Sequence, residues 1–593
     1  MGEVINCSGC YLQALRNARN IFRALLGLSL IMGILLPITS YAQTQADIEA
    51  AQRQAEIIQR QEQERIQRDQ EEARRRSERV DGMDTQTLQP KITVPAIGAP
   101  CREISAITIN GAPNLPASVR QRITSEFTGR CLNVGDIERI LAEITKYYID
   151  KGFITTRAYL PPQDLTQGHL EILVVEGIVN KIMIDDGKAN SISIGNVFPG
   201  IEGSLLNLRD LEQGIDQINR LTSNNAQLDI QPGDKPGTSI VVVHNKPRLP
   251  YHFNVSVDNQ GSESTGELQS GFTASVDNLL GFNELFSATH RQAIPGYPGH
   301  KDSGSDNFSF NIPFGYTTLS LGTSRSKYES TIRVPSGLEL ISSGNSKTDS
   351  VRLDRVMYRD QTTRATLAAT VTTKESKNYL DGQYLGVSSR NLTVLDVDGD
   401  LNTGLAGGVL TLNLGYAQGL NTMGALRDPD NLPDWAARAQ FGKFKAGFNY
   451  ARPFKLFNKD FTLTSQFTGQ KAKDVLYGSE QISIGGIYSV RGFVRNVLSG
   501  DDGYYWRNEI SMRQPIVIGN ETISTRLYAG YDTGEVHNRT ANIPQGRLAG
   551  MVVGISANWR GATWDFFNTR PLTLPDTMIK ESSQTWFRVA YTY

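Results

Sequence analysis

Three carboxylates fall within five residues at Asp396-Val397-Asp398-Gly399-Asp400, a density that a calcium loop would use. The glycine is misplaced for such a loop and no properly spaced glutamate follows, so the stretch reads as the polar tip of a hairpin. The chain has no G-x-S-x-G elbow, Walker loop, H-E-x-x-H or G-x-G-x-x-G run, and its 6 histidines are scattered. The expectation is therefore no catalytic residue, no metal site and no cofactor. The chain does not read as an enzyme.

A different signal lies in Ile484-Gly485-Gly486-Ile487-Tyr488-Ser489-Val490-Arg491-Gly492-Phe493. Three glycines and an arginine interrupt a region of alternating residues, which predicts a loop that folds back rather than a ladder strand. If that loop were packed inside a protein lumen, Arg491 would need an acidic partner, because a buried unpaired charge is costly. Strand parity supplies one. Ile523, Leu527, Ala529 and Tyr531 share one side, while Ser524, Arg526, Tyr528, Gly530 and Asp532 share the other. By the same rule Arg507 and Glu509 face inward, opposite Trp506, Asn508 and Ile510. The competing reading is an extracellular loop with its arginine in water.

The elements around these residues follow from composition and pattern. A chain of 593 residues is too long for one compact domain. Its hydrophobic share is 39% and its mean hydropathy is −0.32, yet it carries 55 Gly, 22 Tyr and 22 Phe. That mixture suits a membrane β-barrel, in which only alternate strand residues face lipid, and not a helical membrane protein. A net charge of −1 and a pI near 6.6 give no electrostatic reason for a nucleic-acid partner.

The N-terminus reads as a secretory leader, with Arg16, Arg19 and Arg23 ahead of an apolar run from Ala24 to Leu36. Ser40-Tyr41-Ala42 predicts cleavage before Gln43. Cys7 and Cys10 fall inside that leader, where their spacing is incidental. Cys101 and Cys131 remain, and in an oxidising compartment they are expected to form one disulfide closing a loop of roughly 30 residues.

Residues 46–79 form a charged helical pattern with acid-first i,i+4 pairs: Glu49/Arg53, Glu56/Arg60, Glu64/Arg68 and Glu72/Arg76. As a rod it would extend about 50 Å, enough to traverse a barrel. With no apolar stripe, it either stands in solvent as a spacer or fills a polar cavity. Residues 80–100 follow as a linker broken by Gly82, Pro90, Pro95, Gly98 and Pro100.

Two similar β-α-α-β-β units come next. In the first, a strand spans 104–109, a short helix 116–127 and a stronger helix 136–150, with Ile137, Ile140, Leu141, Ile144 and Tyr148 on one face. Strands at 153–160 and 169–175 complete it. In the second, strand 179–184 precedes a helix marked by Leu208, Leu211, Ile215, Ile218 and Leu221, then strands at 226–230 and 238–243.

From Tyr251 the period becomes two. Tyr251, Phe253, Val255 and Val257 alternate with His252, Asn254, Ser256 and Asp258, and at the far end Phe587, Val589, Tyr591 and Tyr593 alternate with Trp586, Arg588, Ala590 and Thr592. One apolar and one polar side fit a barrel with lipid outside and water inside, of roughly 16 strands. A soluble sandwich would alternate similarly; the leader and the aromatic C-terminus favour the barrel.

These motifs together resemble the two-partner-secretion outer-membrane transporters (TpsB), the haemolysin-activator and contact-dependent-toxin exporter type. Ile484 to Phe493, continuing through Leu498-Ser499-Gly500-Asp501 and Arg507-Asn508-Glu509, looks like that family's long loop and following strand. Asp258-Asn259-Gln260-Gly261, Thr265-Gly266 and Asp277-Asn278 match its opening hairpin, and Gly530-Tyr531-Asp532 a later strand. The paired units are similar to polypeptide-transport-associated (POTRA) domains. Gly152-Phe153, Arg157-Ala158-Tyr159-Leu160 and Gln163-Asp164-Leu165 fit the same pattern, and Cys101 and Cys131 match the branch that secretes haemolysins and contact-dependent toxins.

The resemblance implies the following organisation: signal peptide 1–42, plug helix 43–79, linker 80–100, POTRA domains 101–176 and 177–248, and a 16-stranded transmembrane barrel 249–593. It implies that the N-terminal helix plugs the lumen and that Val490-Arg491-Gly492-Phe493 enters the lumen, where Arg491 pairs with Asp532. The implied partner is a large secreted exoprotein that presents its N-terminal secretion domain to the POTRA domains in the periplasm. Outer-membrane lipid and the barrel-assembly machinery are the other expected partners, no nucleic acid among them. A barrel-assembly factor is the alternative, though it would usually carry more POTRA domains and no charged plug. A passive porin needs no periplasmic repeats, and a secreted enzyme fused to a barrel lacks a nucleophile motif upstream of Tyr251.

Overall fold

A computed structural model describes residues 47–61, 65, 100–187, 191–294, 301–540 and 543–593. The leader, most of the linker and the Glu64/Arg68 and Glu72/Arg76 pairs lie outside the described residues. Residues 47–61 are helical.

In the first unit, Ala106–Asn110 lies parallel to His169–Val175, and Arg157–Tyr159 pairs antiparallel on the other side. Helices Ala117–Phe127 and Val134–Asp150 cover one face. The second starts at a capping box in which Asn133 and Asp136 each accept from the other's backbone N–H. Its Ile137, Ile140, Ile144 and Tyr148 enter a core with Ile104, Leu170 and Ile172. The second unit repeats the arrangement with Ile178–Asp185 parallel to Thr238–His244 and Gln227–Pro232 at its margin. Helix Leu208–Asn219 buries Leu208, Leu211 and Ile218 against Val241 and Val243.

Two strand predictions here need correction. The stretch 104–109 is split at Ser105. The backbone N–H groups of Ser105 and Ala106 both donate to the Gly168 carbonyl, so Arg102–Ile104 turns away to pair with Arg130–Leu132. The Cys101–Cys131 disulfide lies beside that pair, with Cα atoms 5.3 Å apart. The predicted strand 153–160 shrinks to Arg157–Tyr159. Residues 152–156 form a turn in which Phe153 packs on the first core and Ile154 enters the second, so two separate cores mimic strand alternation.

Beyond residue 250, sixteen antiparallel strands run from Tyr251–Asp258 to Gln584–Thr592, each paired with its sequence neighbour, and the last closes on the first. Short pieces Gln383–Tyr384 and Ile516–Ile518 extend two hairpins. Side-chain parity assigns the two faces. Phe253, Val255, Phe272, Leu414, Trp506 and Ile555 stand exposed on the outside, an apolar surface that only lipid would stabilise. Thr273, Ser275, Ser309, Ser320, Thr372, Asn413 and Arg588 line a cavity of about 2170 Å³. Among the described residues no helix is long and apolar enough to cross a membrane; the closed barrel, with every backbone edge paired, supplies strands that can.

The Asp396-to-Asp400 stretch is not a hairpin tip. It lies within strand Arg390–Leu405, whose period of two turns Asp396, Asp398 and Asp400 into the lumen and Val397 toward lipid. The carboxylates are neutralised across the wall. Lys445 Nζ sits 2.6 Å from Asp396 and 3.1 Å from Asp398, and Arg352 lies 3.7 Å from Asp398 and 3.8 Å from Asp400.

The second unit is docked onto the barrel's near rim. Gln213 and Gln217 both donate to the Gly315 carbonyl, and Arg359 lies 2.6 Å from Asp216. Burial raises the Asp216 carboxyl above its ordinary value and outweighs the opposing pull of Arg359. Tyr316 donates to Asp210 at 2.6 Å. The second unit and the rim thus share a hydrogen-bonded joint.

Candidate functional site

Two elements occupy the lumen. The first is the N-terminal helix. Asp47 accepts from the Ser336 backbone at 3.1 Å near the far end, and Arg65 donates to Ser305 at 2.7 Å further down. Between them Gln59 donates to Asn378 at 2.8 Å, and Glu56 accepts from Arg390 at 3.0 Å. Ser305, Asn378 and Arg390 all lie on the inward parity of their strands, so the helix runs inside the barrel. Among its described residues the apolar contacts are Ile48 and Ala51 against the cluster of Ile332, Leu340 and Leu380, and Ala55 with Ile58 against Tyr328.

The second element is the long loop between strands Lys459–Ala472 and Asp502–Arg513. It re-enters the lumen as a small hairpin, Ile482–Ile484 against Leu498–Gly500, and the residues between form turns. Gly485, Gly486 and Gly492 take positive φ of 106°, 87° and 125°, and Gly492 approaches the Arg570 backbone so closely that a side chain would collide with it. Here lies the geometric reason for three glycines in ten residues.

Arg491 is 5% exposed and Asp532 0%. Arg491 Nε donates to Asp532 at 2.6 Å and Nη2 to the other carboxylate oxygen at 2.9 Å, a bidentate fork. The Arg491 backbone N–H also donates to Asp532, at 3.1 Å, so the aspartate fixes main chain and side chain together. Nη1 reaches Glu509 at 3.0 Å, and Glu509 in turn accepts from Arg526 at 2.7 Å. Arg507 donates to the Tyr488 carbonyl at 3.2 Å. Val490 and Phe493, both 0% exposed, enter a small apolar cluster with Tyr505, Val536 and Leu548.

Gly550, Val536 and Leu548 were not singled out from sequence, and Gly530 was placed only on the inner face beside Asp532. Gly530 and Gly550 leave the wall bare where the loop lies: a Cβ on Gly550 would overlap the Arg491 carbonyl, and one on Gly530 would stand 2.9 Å from its guanidinium. Val536 and Leu548 are apolar residues at inward parity, and that break in the polar-inside rule was the available signal. At the loop's base, Glu480 is clamped between Lys374 and Lys443, at 2.5 Å and 3.1 Å. Arg60 of the helix donates to the Gly478 carbonyl at 2.5 Å, while Arg390, which holds Glu56, stacks 4.2 Å from the Tyr477 ring. Helix and loop therefore touch. Among the described residues no group of histidine, cysteine and acidic side chains could hold a metal ion.

A polar lumen occupied by a helix held through polar side chains and by an ion-paired loop can act as a gated conduit. Comparison with known proteins identifies the family. Residues 237–557 match the family model described as haemolysin secretion/activation protein ShlB/FhaC/HecB. Residues 103–177 match a POTRA domain of ShlB type and 178–232 a further POTRA domain. The chain is 31% identical over 525 residues to the outer membrane transporter CdiB of Dickeya dadantii, spanning 88% of this chain and 92% of that protein. It is also 31% identical to the hemolysin transporter protein ShlB of Serratia marcescens, over 87% of this chain and 90% of that one. The solved structure of CdiB from Escherichia coli superposes with a TM-score of 0.84 at 30% identity, covering 91% of this chain and 99% of that one.

Proposed function

The chain belongs to the haemolysin secretion/activation family, the outer-membrane transporters of two-partner secretion, and from that premise we propose how it moves its partner. Residues 1–42 serve as leader, 43–79 as plug and 80–100 as tether. Residues 101–176 and 177–248 receive an unfolded exoprotein of the haemolysin or contact-dependent-toxin kind in the periplasm, and residues 249–593 conduct it outward. The exoprotein's secretion domain adds as an extended strand to a sheet margin, where main-chain hydrogen bonds supply affinity without demanding a folded partner. Arg157–Tyr159 and Gln227–Pro232 occupy such margins. The barrel-assembly machinery inserts the chain, recognising the last strand, Gln584–Thr592.

The observation that carries this reading is the helix itself. Its described residues meet the barrel wall through polar side chains and through small clusters of alanine and isoleucine, so it can leave without dismantling a large core. Once it has left, the partner threads through the polar wall, and folding outside supplies direction. Arg491 and Asp532 hold the loop in its working position.

The route is tested by photo-crosslinking in cells caught mid-export. A benzophenone at Thr372, which faces the lumen, should capture the exoprotein, whereas one at lipid-facing Leu414 should not. Equal capture at both positions, or capture at Leu414 alone, would remove the lumen from the pathway.

A further inference from the structure

The barrel wall is thinnest in hydrogen bonds where its ends meet. The ladder between the first and last strands runs from Arg588↔Asp258 to Thr592↔Asn254, five pairs, with further main-chain bonds between Phe253 and Tyr593 at one end and from the Asn259 N–H to the Phe587 carbonyl at the other, whereas the 17-residue strand Thr317–Arg333 is paired along its whole length. Asn259 extends the short join with its side chain, donating to the Thr585 carbonyl at 2.9 Å and accepting from the Phe587 N–H at 2.7 Å.

Immediately after Phe493, the long loop touches the loops on both sides of this seam. On the first-strand side, Arg495 Nη2 donates to Glu263 at 2.7 Å. Glu263 belongs to the connection between the first two strands, and the Arg495 hydrogen bond holds its carboxyl below the ordinary value. On the last-strand side, Glu581 accepts from the backbone N–H groups of Val494 and Asn496, both at 2.8 Å, and from the Asn496 amide at 2.6 Å. Asn496 is buried and donates to the Ile579 carbonyl as well, while Val494 packs against the cluster of Tyr528, Val552, Phe567 and Trp586, the last from the final strand. The Arg495–Glu263 pair is exposed to water and forms the weaker arm. Glu581, gathering main-chain donors, forms the stronger one.

We infer that Val494–Asn496 is a clasp across the barrel seam: seated, the loop keeps the first and last strands together, and withdrawn, it frees them to part. The clasp begins one residue beyond Phe493, so it cannot stay in place when Arg491 leaves Asp532. Unseating the loop to clear the lumen would therefore also loosen the barrel's circumference.

The test reads the barrel alone, so it is independent of whether any exoprotein is exported. Nitroxide labels on Glu267→Cys and Ser583→Cys, both exposed and on opposite sides of the seam, report their separation by pulsed electron paramagnetic resonance in liposomes. The otherwise native chain should give one narrow distance. Glu581→Ala should add a population longer by about 5 Å or more, the spacing of one strand. Glu581→Gln, which keeps an acceptor oxygen, should stay close to native. An unchanged narrow distribution in Glu581→Ala, with folding verified by heat-modifiable migration, overturns the clasp. If Glu581→Ala does not insert, Arg495→Gln cuts the other arm and should broaden the distribution to a smaller degree; no broadening there overturns it equally.

Discussion

Replacing Arg491 with alanine should unseat the lumen loop while leaving the barrel folded and inserted. In the native arrangement Asp532 is wholly buried and receives three hydrogen bonds from Arg491, at 2.6, 2.9 and 3.1 Å. With alanine, the seated loop would cover a carboxylate that has lost its cation, and breaking a buried pair in this way costs about 3–5 kcal/mol. At roughly 1.4 kcal/mol per factor of ten, the balance between seated and withdrawn loop shifts at least 100-fold. Asp532→Ala should shift it less, because Arg491 keeps Glu509 at 3.0 Å as a second carboxylate. Hydrogen–deuterium exchange resolves the effect. Peptides covering residues 486–497 should exchange about 100-fold faster in Arg491→Ala and by an intermediate factor in Asp532→Ala. Those from Asp502–Arg513 should not change. Protection equal to the native chain in both variants would show that the ion pair does not position the loop.

Other outcomes follow from the same geometry. Gly550→Ala places a methyl group on the Arg491 carbonyl and should mimic Arg491→Ala in exchange, whereas Gly399→Ala, whose methyl group would meet nothing closer than 3.9 Å, should leave residues 486–497 protected. Arg390→Ala removes the contacts to both Glu56 and Tyr477, so the helix should leave more often, seen as more frequent large openings in planar-bilayer recordings. The disulfide closes a loop with sequence separation 30. Its removal by Cys101→Ser with Cys131→Ser should destabilise the first periplasmic unit by roughly 3–4 kcal/mol on the chain-entropy account, measured by pulse proteolysis, with heat-modifiable migration of the barrel unchanged.

Much of the architecture was written in side-chain periodicity. Tyr251, Phe253, Val255 and Val257 announce a two-faced strand because lipid and water select opposite parities. Ile137, Ile140, Ile144 and Tyr148 announce a helix because they return to one face every three or four residues. Parity also placed Asp532, Arg507 and Glu509 on the inner face without knowledge of any neighbour. What sequence could not convey is distance. Nothing local marks Gly530 and Gly550 as the bare wall under Arg491, or Glu581 as the anchor of residues 85 to 87 positions away. Asp396 to Asp400 misled because acidic density suggests a turn, whereas in a barrel alternating aspartates inside a strand are satisfied by Lys445 and Arg352 across the wall. Phe153 and Ile154 misled because alternation records burial on two sides, and two adjoining cores provide that as well as a sheet.

The most direct test of the transporter account is a comparison of the surface-plus-medium and periplasmic protein content of the source bacterium with and without this chain. One large exoprotein should vanish from the outside and accumulate unfolded in the periplasm, while other outer-membrane barrels keep their levels. An unchanged exterior, or a general loss of inserted barrels, would contradict it.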